Sequence, residues 1–308
     1  MIMFDTHCHL NFKVFDGKVD QIVKRAREAG VDYFVVPGTD IETSKKAVEI
    51  AEKFKGVYAA VGIHPHHVYQ YQISNIKKEL KKIHVILTPT LRRGKNLSRM
   101  RENLKRVQRS FVASAPQDDR REDKIVAIGE IGLDKHVYQK TKYENYGVDK
   151  EFFELQKLLF VEQLKLAKEF KKSVIVHNRE AKKDLLKILN DHWDSYFSGR
   201  MVFHCCEPEE ELLNFAKEKK IFIGVDGDVV YNKKKQEFVK KIPLDLLVLE
   251  TDSPFLSPLK KILPAGRQVP NEPKNLPIVA KFISSILSVS INQLIDITSE
   301  NAERLFLK

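Results

Sequence analysis

Eight short runs of β-branched and aromatic residues, each followed by a stretch with helical spacing, constrain this chain more than any other feature. The runs lie at 2–8, 33–37, 57–63, 125–130, 173–177, 200–205, 221–226 and 245–251. Strands separated by helices do not pair as tight hairpins; they form a parallel sheet with helical crossovers. In 151–171, for example, Phe152, Leu155, Leu158, Leu159, Val161, Leu164 and Ala167 recur with helical periodicity. Eight such units predict an α/β fold of the (β/α)8-barrel type, a single domain over 1–308. The alternative is a doubly wound open sheet. Its dinucleotide-binding form opens on a Gly-rich turn, and Gly129 and Gly132 do not make GxGxxG. Neither a Walker A motif nor HExxH is present.

Composition excludes several classes. A hydrophobic fraction of 43% is enough for a core and argues against wholesale disorder. No apolar run approaches the roughly 20 residues that span a bilayer, so no membrane partner is expected. The N-terminal MIMFDTHCHL lacks the basic-then-apolar layout of a secretory signal. Three cysteines, two of them adjacent (Cys205 and Cys206), make no disulfide framework and fit a reducing, cytoplasmic setting. The net charge of +11 hints at a polyanionic partner. Much of it sits in a basic insertion at about 84–124, between the third helix and the fourth strand. There, 92–109 carries eight positive residues against one negative, and without that segment the net charge falls to +4. On a barrel, a helix-to-strand connection lies opposite the catalytic rim, so this charge is not expected to meet a substrate.

The chemistry starts at His7-Cys8-His9. In extended backbone, residues i and i+2 share a face, so two imidazoles point one way and Cys8 the other. Glu130 ends the fourth run, His177 the fifth and His204 the sixth; Asp252 follows the eighth. All stand at C-terminal strand ends, where barrel active sites form. Six such side chains converging without partners cost several kcal/mol of desolvation, roughly 2–7 for each neutral polar group. Divalent cations satisfy them.

The motifs FDTHCHL (4–10), VGIHPH (61–66), IGEIGLD (128–134), VIVHNRE (174–180), VFHCC (202–206), LETDSP (249–254), NEP (271–273) and TSENAERLF (298–306) occur in this order. With them the chain resembles the TatD family of metal-dependent deoxyribonucleases, within the amidohydrolase-like barrels. The resemblance implies two divalent ions, Zn²⁺, Mn²⁺ or Mg²⁺. It implies that His7, His9 and Asp252 hold the first, that His177 and His204 hold the second, and that Glu130 bridges them. Two cations about 3.5–4 Å apart can share a hydroxide for in-line attack on a phosphodiester, with Asp252 taking its proton. Arg179, at the start of the fifth helix, is expected to fork onto phosphate oxygens with help from the helix N-terminus; His64 and His66 are further substrate contacts. The substrate so implied is DNA, cut from single-stranded or frayed ends, by a chain that is a monomer or weak oligomer.

Three departures from the family pattern bear on substrate choice. Glu207 and Pro208 stand where the family usually has Ser-Gly. The segment 135–151 is longer and more polar than usual and carries Tyr138, Tyr143 and Tyr146. The path to Asn271-Glu272-Pro273 is stretched, with Arg267 a candidate for the family's loop arginine. Asp134 is read as an acceptor behind a ligand or a turn residue, and Asp226 and Asp228 as loop residues. Cys205 is expected to face away from the metals, with Cys206 the nearer of the pair. Two other functions remain open: hydrolysis of an amide, ester or lactone on the same barrel, and nucleic-acid binding on an inactive one.

Overall fold

A computed structural model describes residues 2–70, 73–88, 123–259 and 269–307. All eight expected strands form: β1 (Met3–Asp5), β2 (Val31–Pro37), β3 (Val57–Val61), β4 (Ile125–Asp134), β5 (Ser173–Arg179), β6 (Met201–Phe203), β7 (Phe222–Val225) and β8 (Leu247–Leu249). They pair in parallel and in sequence order. The seam between β8 and β1 is closed by backbone bonds. Thr6 N donates to Leu249 O at 3.1 Å, Asp252 N to His7 O at 2.9 Å and His9 N to Ser253 O at 2.7 Å. The chain is therefore a (β/α)8 barrel, and the open-sheet alternative fails because no free edge is left between β8 and β1.

The helices among the described residues are α1 (Val19–Glu28), α2 (Ile41–Lys53), α3 (Ile73–Leu87), α4 (Lys150–Glu169), α5 (Lys182–Asp191), α6 (Glu210–Lys219), α7 (Lys233–Val239), α8 (Leu276–Leu287) and α9 (Ile291–Phe306). Their starts are written in the sequence. Asp40 accepts from Thr43 N at the head of α2, Asp149 from Phe152 N at α4 and the Ser290 hydroxyl oxygen from Gln293 N at α9. Among the described residues, no single helix is long and apolar enough to cross a membrane.

Helix α4 covers the expected segment but is rotated slightly from expectation. Leu158 is exposed, while Phe153, Phe160 and two glutamines are buried. The glutamines brace the catalytic end. Gln163 accepts from Ile63 N (2.7 Å) and donates to Ile63 O (3.1 Å); Gln156 accepts from Asp134 N (2.8 Å) and donates to Asp134 O (2.9 Å). Strand β4 runs four residues past Glu130, against the expectation that Glu130 ends it. Gly132 permits this: at φ +147° it lies so close to β5 that a Cβ would stand 1.9 Å from His177 O. Helix α3 continues to Leu87, into the stretch read as an insertion, and 92–109 and Arg267 lie outside the described residues.

Candidate metal centre

Five strands deliver the expected residues to the C-terminal mouth. Although β1 ends at Asp5, an isolated parallel bridge between Cys8 and Ser253 keeps the next residues extended. The two-residue alternation therefore survives: His7 and His9 bring Nε2 to Nε2 at 3.1 Å, while Cys8 turns outward toward Val35 O. Asp5 anchors this segment, accepting from Thr251 N (3.0 Å) and from the Thr251 hydroxyl (2.6 Å).

Glu130, nearly fully buried, divides its carboxylate between two groups of imidazoles. Its Oε2 lies 3.4 Å from His7 Nε2 and 3.6 Å from His9 Nε2. Asp252 Oδ1 completes this set at 3.8 and 3.6 Å from the same nitrogens. Glu130 Oε1 lies 2.8 Å from His177 Nδ1, 3.2 Å from His204 Nε2 and 3.3 Å from His64 Nε2. Burial alone would push the Glu130 carboxyl up, but His204 and His64 outweigh it and hold it well below the ordinary carboxylate range.

The donor set fits divalent cations. For bonds of about 2.0–2.1 Å to imidazole, the edge of a tetrahedral shell is about 3.3 Å, within the 3.1–3.8 Å spread of the first group. The ring tautomers agree. His9 Nδ1 faces the Pro37 carbonyl at 3.3 Å, which can only accept, so Nδ1 carries the proton and Nε2 offers a lone pair. Burial, with His204 nearby, lowers His7 to about 3, leaving it neutral. His177 is held between Glu130 and Asp134, whose Oδ2 meets its Nε2 at 3.2 Å. These contacts overcome burial and raise it to about 9. A proton here occupies the place a cation would take.

His64 differs in kind. The His66 backbone N–H donates to His64 Nδ1 at 3.1 Å, so Nε2 bears the hydrogen and donates into the site. His66 is farther out, with Nε2 3.0 Å from Thr141 Oγ1. Arg179 ends β5 rather than starting a helix. Helix α5 begins at Lys182, so its N-terminus does not reinforce the guanidinium as the sequence suggested. All three residues line one cavity of about 600 Å³ with five of the six metal-site candidates, all but the buried His7. Phe12 and Phe255 form its apolar side; Phe12 stacks on His9 at 4.2 Å between centroids.

Sequence reasoning missed Glu250. It lies 3.4 Å from His204 Nδ1, accepts from Cys205 N, and packs on Gly224, where a Cβ would stand 2.5 Å from its carboxylate. An acid inside the apolar run LeuLeuValLeuGluThr was the available signal. The cysteine expectation is reversed. β6 stops at Phe203, Cys205 takes φ +44°, and alternation ends; Cys205 lines the cavity and Cys206 is buried away from it. Asp226 and Asp228 do more than fill a loop, since both pair with the buried Lys235 at 2.6 Å.

A closed parallel barrel with histidines and carboxylates gathered at its C-terminal mouth defines the class of metal-dependent barrel hydrolases. The chain belongs to the family described as TatD related DNase, whose sequence profile matches residues 4–307. It is a metal-dependent hydrolase acting on ester bonds. It is 31% identical over 307 residues to the uncharacterized metal-dependent hydrolase YabD of Bacillus subtilis, covering 99% of each chain. It is 29% identical to the 3'-5' ssDNA/RNA exonuclease TatD of Cronobacter sakazakii, over 99% of this chain and 98% of that one. The crystal structure of YJJV, a TatD homolog from Escherichia coli, superposes with a TM-score of 0.75 at 27% identity, covering 99% of this chain and 98% of that one.

Proposed function

We propose that the chain is a deoxyribonuclease that uses two divalent cations to hydrolyse phosphodiester bonds from single-stranded or frayed DNA ends in a reducing cytoplasm. The observation that carries this reading is the division of Glu130. One oxygen faces His7 and His9 with Asp252 behind them, and the other faces His177 and His204. His7, His9 and Asp252 would hold one ion, His177 and His204 the other, with the Glu130 carboxylate shared between the two groups. Bound there, the cations polarise phosphoryl oxygens and lower the pKa of coordinated water.

The chain's own residues do the rest. Asp252 accepts the proton of the attacking water at its carboxylate. His64 donates Nε2–H, and Arg179 its guanidinium, to phosphate oxygens; His66 lines the outer wall. A recessed cavity admits a strand end more readily than a phosphate midway along a duplex. Three free cysteines suit a reducing compartment.

The experiment combines metal content with turnover of an end-labelled single-stranded oligonucleotide, with and without chelator. Two ions per chain and ion-restored shortening of the oligonucleotide from its ends are expected. Metal-free protein that no ion activates would overturn the enzyme reading. Rapid hydrolysis of carboxylic esters or lactones with no phosphodiester cleavage would replace DNA by a carbonyl substrate.

A further inference from the structure

The loop that follows β4 contributes a side chain joined to both the substrate wall and the second metal group. Tyr138 donates its hydroxyl proton to Asp134 Oδ2 at 2.7 Å. The same oxygen faces His177 Nε2 at 3.2 Å, and His177 presents Nδ1 to Glu130 at 2.8 Å. From the other side, Arg179 Nη1 donates to the Tyr138 hydroxyl at 3.2 Å, and its guanidinium lies over the ring, 5.1 Å from the centroid. The donor directions are mutually consistent: arginine to phenol, phenol to carboxylate, imidazole to the same carboxylate.

Asp134 has no freedom outside this chain of contacts. It is fully buried, its Oδ1 accepts from His136 N at 2.8 Å, and both of its backbone groups are bonded to Gln156. Tyr138 is packed edge-on against His66 (5.0 Å) and His136 (4.8 Å). The loop itself is tied down, with Tyr143 Oη 2.8 Å from His67 Nδ1 and the Tyr69 hydroxyl donating to Asn145 O at 3.1 Å.

We propose that Tyr138 is a positioning residue that, through its hydroxyl, fixes the ring of His177 for the second metal and aims Arg179 at the substrate phosphate. The proposal rests on the two-metal reading above. Without the hydroxyl, Asp134 Oδ2 keeps only the longer contact to His177, and Arg179 loses its hydrogen bond on the cavity wall while its stack on the ring remains. Partners that orient a metal-holding histidine from behind typically change metal affinity about 10–100-fold. One step further removed, Tyr138 is expected at the low end of that range.

The experiment is a stepwise Mn²⁺ titration of chelated protein, read by the free-ion electron paramagnetic resonance signal, on the wild type, Tyr138→Phe, Asp134→Asn and Tyr196→Phe. Inorganic phosphate binding to the Mn²⁺-loaded proteins is measured alongside. In Tyr138→Phe, one of the two steps should weaken about 10-fold, the other should hold, and phosphate should bind several-fold more weakly. Asp134→Asn should show the same selective loss, and it carries the test if Tyr138→Phe proves unfolded. Tyr196, whose hydroxyl bonds Lys172 O, should match the wild type. Two wild-type steps, with both retained unchanged in folded Tyr138→Phe, would overturn the positioning role. Fewer than two steps in the wild type would instead overturn the two-metal reading beneath it.

Discussion

Asp252 stands in the left-handed region at φ +49°, as do Cys205 at +44° and Glu180 at +56°. Each lies within three residues of the end of β8, β6 or β5 respectively, where the chain leaves the barrel at its C-terminal mouth. Non-glycine residues enter this region at a cost of about 1–3 kcal/mol and do so where the surrounding structure enforces it. Asparagine tolerates the conformation at least as well as aspartate. Asp252→Asn should therefore keep the melting temperature of the chelated protein while lowering oligonucleotide turnover roughly 100-fold or more, the range for loss of a general base. Turnover near the wild-type rate would remove the base from Asp252. Gly132→Ala should be the opposite kind of change. Its Cβ has no room beside His177 O, and the conformational strain alone costs about 1–3 kcal/mol. Denaturant unfolding should show that loss, together with weaker Mn²⁺ binding.

At the level of elements, the strand order and most of the site were legible because periodicity survives in extended backbone. His7 and His9 kept their common face because Cys8 bridges to Ser253 beyond the end of β1. The same rule failed at Cys205 because β6 stops two residues earlier. Arg179 was misplaced for a related reason: the Gly132 crossing lets β4 and β5 run on together, to Asp134 and Arg179. Least legible were buried polar braces, since a glutamine in a helix pattern reads as surface. Gln156 and Gln163, seven residues apart on the inner face of α4, fasten β4 and the end of β3. Replacing Gln163 by leucine leaves the Ile63 N–H and C=O without their partner, at about 1–3 kcal/mol for each buried group. Chemical denaturation should register the loss. The ion pairs of Lys235 with Asp226 and Asp228 were hidden likewise, because nothing in a run of three lysines marks which one is buried. Lys235→Met should destabilise by about 3–5 kcal/mol, the usual result of stripping one partner from a buried pair.

Over the whole molecule, much of the net charge is expected to lie apart from the site. The end of α3 at Leu87 and the start of β4 at Ile125 both lie at the N-terminal end of the strands, away from the cavity. A protein lacking 92–109 should accordingly bind Mn²⁺ and shorten single-stranded oligonucleotides at rates close to those of the full chain; folded but inactive protein would contradict this. Metal should also act as a global stabiliser. An ion that binds only the folded barrel, present at about 100 times its dissociation constant, adds about 2.7 kcal/mol, so returning Mn²⁺ to chelated protein should raise its melting temperature.

The closure of β8 against β1 also orders events during synthesis. Asp5 and Thr251, which meet at that seam, are 246 residues apart. A ribosome that has emitted the first seven strands has made the histidines and Glu130 but not Asp252. On the proposed mechanism, a growing chain, threaded among the nucleic acids of translation, is therefore a hydrolase that still lacks its base. On that mechanism, catalytic competence arrives only with β8 and the turn that carries Asp252.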